Sequence, residues 1–288
     1  MVRAVENPLA LLRVRILGGR GELRFINGFR LPVSRANIEL AARLVRLAYY
    51  GADLADGVDG GASGFRVGLE ADEIRTPGGL RFRLHNLEPF TFAEAFVYDV
   101  HFRGFDLSEK VVVDAGAFLG ESALYFAQQG ARVLAFEPDP VNFAGLQQNL
   151  ELNRPLSDRI QAFPAAVGTD GEVNFHFGLE GGSGIYASAG KIMTVPSVSL
   201  RTILEQNQLR SAYLLKADCK GTEFELTSQP EIDRFELLSI EYSADLRHRR
   251  VETLVEQLRA RGFRRIRVFK HHWNFFPLQE HGMLQAEH

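Results

Sequence analysis

The sequence predicts an α/β fold: a mostly parallel sheet with helices on both faces, preceded by a smaller α+β region. Three observations predict it. From Lys110 onward, short apolar runs alternate with helical stretches, the pattern of consecutive βαβ units. Val111-Val112-Val113 is continuously apolar, as expected of a parallel strand covered on both faces. That run leads into Asp114-Ala115-Gly116-Ala117-Phe118-Leu119-Gly120, a glycine-containing turn that opens a helix. The change in character near Lys110 sets the expected boundary. Residues 1–105 form the front region, which is expected to cover an acceptor pocket, and residues 106–288 form the sheet domain.

In the front region, residues 1–34 predict short strands, because Leu12-Arg13-Val14-Arg15-Ile16 alternates and Gly18-Gly19-Arg20-Gly21 punctuates. Ser34 is placed to cap a helix over Arg35–Tyr50, with Ile38, Ala41, Ala42, Val45 and Ala48 near one stripe and Gly51 ending it. Residues 51–64, rich in Gly, Ala and Asp, predict a loop. Thr76-Pro77-Gly78-Gly79, between Ile74 and the alternating Leu80–Leu84, predicts a hairpin with a type II turn. Residues 91–103 predict a helix carrying Phe92, Phe96, Tyr98 and Phe102.

In the sheet domain, Leu119–Gln129 predicts a helix ending at Gly130, and Arg132–Phe136 the second strand. Asp139-Pro140 opens the next helix as N-cap and first residue, with Phe143, Leu146 and Leu150 on one face. Ile160–Val167 predicts a third strand. Glu172–Phe177 and Thr194–Val198 predict extra strands around Gly181-Gly182-Ser183-Gly184. Ser199 caps a helix to Gln206. Tyr213–Ala217 and Leu237–Tyr242 are the fourth and fifth strands. Val251, Leu254, Val255 and Leu258 mark a helix stopping at Gly262, and Phe263–Phe269 a last strand.

Composition narrows the function classes. With 288 residues, 45% of them hydrophobic, the chain can fill one large domain, or a domain plus a lobe. A net charge of -3 gives no overall signal for a nucleic-acid partner. Cys219 is the only cysteine, which excludes an internal disulfide. No apolar run is long enough to span a bilayer, so no membrane partner is expected. Arg3, Glu6, Arg13 and Arg15 interrupt the first residues, unlike a signal peptide, and the expected location is the cytoplasm. His176, His248 and His271-His272 lack spacing to Cys or carboxylates that would make a metal site, so no metal is expected.

The chemistry concentrates at two strand ends. Asp114 ends the first strand, where ligands of open parallel sheets bind, and Gly116 and Gly120 let a ligand approach the backbone. Glu137 follows the second strand, about 20 residues beyond the glycine turn, the spacing of an acid that hydrogen-bonds ribose hydroxyls. The turn lacks G-x-G-x-x-G spacing, and Asp114 and Glu121 flank it, which disfavours a pyrophosphate. S-adenosylmethionine has no phosphate, and its ammonium and sulfonium are both cationic. These residues therefore favour the methyl donor over NAD.

The run Asp114-Ala115-Gly116-Ala117-Phe118-Leu119-Gly120-Glu121-Ser122, then Phe136-Glu137-Pro138-Asp139-Pro140, then Asn149-Leu150-Glu151-Leu152-Asn153 is similar to the FkbM family of methyltransferases. The similarity continues through Ala165-Ala166-Val167-Gly168, Val195-Pro196-Ser197-Val198-Ser199-Leu200 and Lys216-Ala217-Asp218-Cys219-Lys220-Gly221-Thr222-Glu223 to Gly262-Phe263. The resemblance implies a Rossmann-like class I methyltransferase with a seven-stranded sheet. It also implies S-adenosylmethionine as donor, and a sugar, glycan or natural-product acceptor methylated on oxygen. The sequence departs from the family pattern twice: Phe118 stands where Asn is common, and Lys220 where the family favours Glu.

The expected donor-binding residues are Asp114, Gly116, Ala117, Phe118, Gly120, Glu121, Ser122, Glu137, Pro138, Ala166 and Asp218. Asp218 ends the fourth strand, next to the first in the usual strand order, which puts it near the methyl. Asp218, or Glu223 one short turn later, is expected to orient or deprotonate the acceptor; the bland reading is that Asp218 caps its turn. Glu241 either faces the acceptor or lies at a solvated strand end. Arg247-His248-Arg249-Arg250 and Arg264-Arg265-Ile266-Arg267 read as a solvated face, or as an attractor for a phosphate-bearing acceptor. Two other functions stand beside small-molecule methylation: methylation of tRNA, and a catalytically silent nucleoside-binding module.

Overall fold

A computed structural model describes residues 4–57, 64–100, 105–177, 183–186, 190–244, 247–270, 277–278 and 280–288. The chain divides into two compact units, Met1–Val100 and His101–His288.

The first unit starts with helix α1 (Leu9–Leu17), where the alternation predicts a strand. Leu9-Ala10-Leu11-Leu12 are strong helix formers, and their propensity overrides a period-2 pattern only five residues long. Strands β1 (Arg20–Arg24) and β2 (Arg30–Ser34) pair antiparallel. The Ser34 N–H donates to Asn37 Oδ1 at 2.8 Å, and a 3-10 turn over Arg35–Asn37 precedes α2 (Ile38–Tyr49). Helix α2 buries Ala41, Leu44 and Leu47, not Val45 and Ala48, because the two leucines remove more apolar surface from water.

The predicted loop 51–64 contains a strand, β3 (Leu54–Asp56), parallel to β4 (Phe65–Gly68); residues 58–63 lie outside the described residues. The sheet continues with β5 (Glu73–Arg75) and β6 (Arg81–Arg83), the predicted hairpin. Its turn is not type II. Gly79 carries the positive φ of +91°, Gly78 does not, and the Gly79 N–H donates to the Thr76 carbonyl at 2.9 Å. Helix α3 (Pro89–Phe96) is shorter than predicted; Phe92 and Phe96 lie in it, Tyr98 follows it, and Phe102 lies outside the described residues.

The second unit holds β7 (Val111–Ala115), α4 (Glu121–Gln128), β8 (Arg132–Phe136), α5 (Pro140–Leu152), α6 (Arg154–Ser157) and β9 (Ile160–Phe163). The predicted third strand breaks at Pro164, whose fixed φ and missing N–H cannot continue the ladder. Its second half is β10 (Ala166–Val167). With β11 (Gly171–Phe177) and β12 (Lys191–Val198), β10 forms a separate three-stranded sheet. Of the glycine-rich segment before β12, Gly181-Gly182 lie outside the described residues. Helix α7 (Leu200–Gln206) is capped by Ser199, which accepts from the Thr202 N–H at 3.1 Å. Then come β13 (Ala212–Ala217), α8 (Glu223–Leu226), β14 (Phe235–Ser243), α9 (Val251–Ala260), β15 (Arg265–Phe269) and β16 (His281–Glu287).

The seven-stranded sheet runs in the order β15-β16-β14-β13-β7-β8-β9. It is parallel except for β16, a strand the sequence pattern does not predict, which inserts antiparallel between β14 and β15. This is the Rossmann-like arrangement, with seven strands, that the resemblance implies. The order reverses at β7, which has β13 on one side and β8 on the other. The carboxyl ends beside such a reversal are where open parallel sheets bind their ligands. One sheet face buries Val113, Leu215, Leu238 and Leu284 against Ile203 and Leu204 of α7, Phe224 of α8, and Leu254 and Leu258 of α9. Among the described residues, no helix is long and apolar enough to cross a membrane.

Candidate active site

The register aligns the carboxyl ends of three strands, with Ala115 opposite both Phe136 of β8 and Ala217 of β13. The chain leaving β7 turns at Gly116, whose φ is +81°. A Cβ there would collide with the carbonyl oxygen of Asp218, so only glycine fits. The Gly116 and Ala117 N–H groups donate to the Phe136 carbonyl at 3.0 and 2.9 Å, tying the turn to the end of β8. Phe118 also adopts a positive φ, +51°. Asn enters that left-handed region more readily than Phe, which gives a physical reason for the residue the family commonly carries there. Gly120 precedes α4, and Glu121 and Ser122 are buried in its first turn.

Asp114 is fully buried at the end of β7. Its Oδ2 accepts the Ser122 hydroxyl at 2.6 Å, and its Oδ1 lies 3.1 Å from Lys216 Nζ. Lys216 also donates to the Gly116 carbonyl at 2.6 Å. Burial opposes the Lys216 charge, but the carboxylates of Asp114 and Asp218 outweigh it and raise its pKa. Sequence reasoning assigned Lys216 no role. The available signal was a lysine inside the otherwise apolar strand Tyr213–Ala217, a placement that requires a partner.

Glu137 is buried just past β8. Its Oε2 accepts the Phe118 N–H at 2.9 Å and its Oε1 the Asp139 N–H at 2.8 Å, with Asn142 Nδ2 at 3.5 Å. Burial raises its pKa to about 8, although the two backbone hydrogen bonds pull the other way. Asp139 caps α5 as predicted, accepting from the Val141 N–H at 2.9 Å. Helix α5 buries Leu146 and Asn149, while Phe143 and Leu150 are half-buried; Asn149 holds the Leu119 carbonyl at 2.8 Å. Pro138 is half-buried beside Glu137. Ala166 packs with Phe175 and Val195 of the small sheet.

Asp218 follows β13, its N–H donating to the Ala115 carbonyl at 3.0 Å. The turn is held by Glu223 instead, whose carboxylate accepts the Cys219 N–H at 3.1 Å and the Gly221 N–H at 2.7 Å. Glu223 is buried, and burial pushes its pKa up to about 7. Burial likewise raises the Cys219 thiol well above its ordinary value. Lys220 Nζ lies 2.6 Å from Asp218 Oδ1 and 3.2 Å from Glu241 Oε1, and His281 Nε2 is 3.1 Å from the same Glu241 oxygen. Glu241 is therefore buried against the Lys220 ammonium and the His281 ring, not solvated. His281, missed in the sequence, comes from the unforeseen β16.

Ser183 Oγ donates to Asp139 Oδ2 at 3.3 Å, and the Tyr186 hydroxyl bonds Glu225. Arg247 stacks 3.8 Å from the centre of the Tyr186 ring and meets Glu225 at 3.0 Å. This arginine is engaged, and does not belong to a solvated basic face. His176 pairs in β11 with Gly184 as an isolated bridge; His271-His272 lie outside the described residues. Among the described residues, no group of three His, Cys, Asp or Glu side chains is arranged to hold a metal.

The Methyltransferase FkbM domain matches this chain over residues 114–265. No curated protein sequence matches it. Three solved structures illustrate its structural similarity. The precorrin-6y C5,15-methyltransferase of Geobacter metallireducens GS-15 is 13% identical, with a TM-score of 0.38 over 63% of this chain and 81% of that one. The magnesium protoporphyrin IX methyltransferase of Synechocystis PCC 6803, with bound SAM, is 15% identical, with a TM-score of 0.38 over 68% and 76%. An rRNA methylase of Streptococcus thermophilus is 13% identical, with a TM-score of 0.39 over 63% and 89%.

Proposed function

The chain belongs to the FkbM methyltransferase family and uses S-adenosylmethionine as methyl donor, and from that premise we propose that it methylates a hydroxyl on a sugar, glycan or natural-product small molecule. The observation that carries the reading is the meeting of three acidic residues at the carboxyl ends of β7, β8 and β13. Asp114, Glu137 and Asp218 all stand there, around a backbone turn that Gly116 keeps compact. This donor set suits a cationic nucleoside better than a pyrophosphate. Of the nearby lysines, Lys216 is committed to Asp114 and the Gly116 carbonyl, and Lys220 to Asp218 and Glu241.

In this reading Glu137 accepts the ribose hydroxyls, and Asp114, Glu121 and Ser122 hold the amino-acid end. Gly116, Ala117, Phe118 and Gly120 offer backbone along the crevice, and Pro138 and Ala166 bound the base. The bound donor supplies a methyl already activated by its sulfonium. The protein's task is alignment, exclusion of water and removal of the acceptor's proton. Asp218, partly exposed at the end of β13, orients the acceptor hydroxyl or takes its proton. Glu223 has both oxygens on the backbone of its own turn and acts through Asp218's placement.

The test is transfer from labelled S-adenosylmethionine into fractionated cell extract, with and without ribonuclease. Label in the small-molecule or glycan fraction is expected. Label that ribonuclease releases would move the assignment to RNA.

A further inference from the structure

Lys220 stands where the family resemblance leads one to expect a glutamate, and its surroundings are built rather than incidental. Its ammonium lies between two carboxylates from adjacent strands, 2.6 Å from Asp218 Oδ1 and 3.2 Å from Glu241 Oε1. Glu241 is held in turn by His281 of β16 at 3.1 Å. The backbone at Lys220 has a φ of +47°, a left-handed conformation that an L residue adopts at a cost. A Cβ on Gly184 would come within 2.9 Å of Lys220 Cβ, so the 183–186 segment packs directly on this residue. Lys220 is mostly buried, its side chain 18% exposed.

Two carboxylates at the ends of neighbouring parallel strands repel each other and attract any cation in the crevice. S-adenosylmethionine carries a sulfonium; its demethylated product, S-adenosylhomocysteine, carries a neutral thioether in the same place. A carboxylate facing that sulfur therefore favours donor over product, and an ammonium on the carboxylate reduces the preference.

We propose that Lys220 is a positioning residue: it clamps Asp218, anchored through Glu241 and His281, and moderates the negative charge that Asp218 presents to the sulfonium. The inference rests on the donor-site reading above. It gives the residue that departs from the family pattern a defined task, setting the balance between donor and product binding while fixing the direction of Asp218.

The experiment compares Lys220→Met with Lys220→Arg by titration calorimetry of S-adenosylmethionine and S-adenosylhomocysteine, with thermal unfolding as a folding control. In Lys220→Met the preference for donor over product is expected to rise about three- to tenfold, as one unneutralised charge acts across a partly solvated crevice. Lys220→Arg is expected to restore the wild-type ratio, because the guanidinium supplies the same charge. Equal changes in both affinities, or an unchanged ratio in a folded Lys220→Met protein, would overturn the proposal. Failure of both ligands to bind the wild-type protein would instead reject the donor-site reading.

Discussion

With its carboxyl raised to about 8 by burial, Glu137 is largely protonated near neutrality in the ligand-free protein, yet an ionised carboxylate is the better acceptor for two ribose hydroxyls. Affinity for S-adenosylhomocysteine should therefore rise as pH increases through about 8, and Glu137→Gln should abolish that rise, both read by calorimetry. Glu137→Ala should weaken binding about tenfold or more, the scale of a hydrogen bond to a charged group. The stability linkage has the opposite slope. The folded value lies above the ordinary 4.5, so the folded state holds an extra proton between the two values. That contribution is fully present below about 4.5 and is lost as pH rises through about 8; Glu223, raised to about 7, acts in the same direction. The melting temperature should fall over this window, and Glu137→Gln should flatten part of the decline. Asp218→Asn should lower turnover about a hundredfold on an identified acceptor, the scale of a lost general base. Normal turnover in that variant would leave Asp218 without a proton-transfer role. Asp114, Glu137 and Asp218 were legible because each follows an apolar run and so marks a strand end. The pairing of Lys216 with Asp114 and of Lys220 with Glu241 was not, since Asp114 lies 102 residues before Lys216 and Glu241 21 residues after Lys220, and only the fold brings them together.

At the scale of elements, the turn after β7 is the most constrained segment. Gly116→Ala would force a Cβ onto the Asp218 carbonyl and hold a φ of +81° that alanine disfavours. A loss of about 1–3 kcal/mol is expected, measured by urea denaturation, together with weaker donor binding. The cap prediction at Asp139 is more modest: Asp139→Ala should cost about 0.5–2 kcal/mol, because the Val141 N–H loses its acceptor. Local signals read these elements well. Asp139-Pro140 located the start of α5, and the uninterrupted apolar runs located β7, β8 and β13. They failed where a short pattern competed with another tendency. Five alternating residues in α1 resembled a strand, and Pro164 divided one apolar stretch between two sheets.

At the scale of the molecule, the alternation of strands and helices after Lys110 was enough to indicate a parallel α/β sheet, but not its far edge. The strand β16 carries Gln285 and Glu287 among its apolar residues, so its pattern is weak, and its place in the sheet is set by pairing with two strands at once. Leu284 of β16 is fully buried in the main core. Leu284→Ala should destabilise the protein by about 2–5 kcal/mol, with amide exchange in both β14 and β15 accelerating together. The insertion of β16 has a consequence for assembly. Strand β15 precedes β16 in the chain, yet among the described residues its ladder is with β16 alone, so neither β15 nor the outer side of β14 is paired before β16 docks. Closing this half of the sheet is therefore a late, non-local event: the outer edge of β14 stays open until β16 docks, and the docking of that one strand covers the open edges of β14 and β15 together.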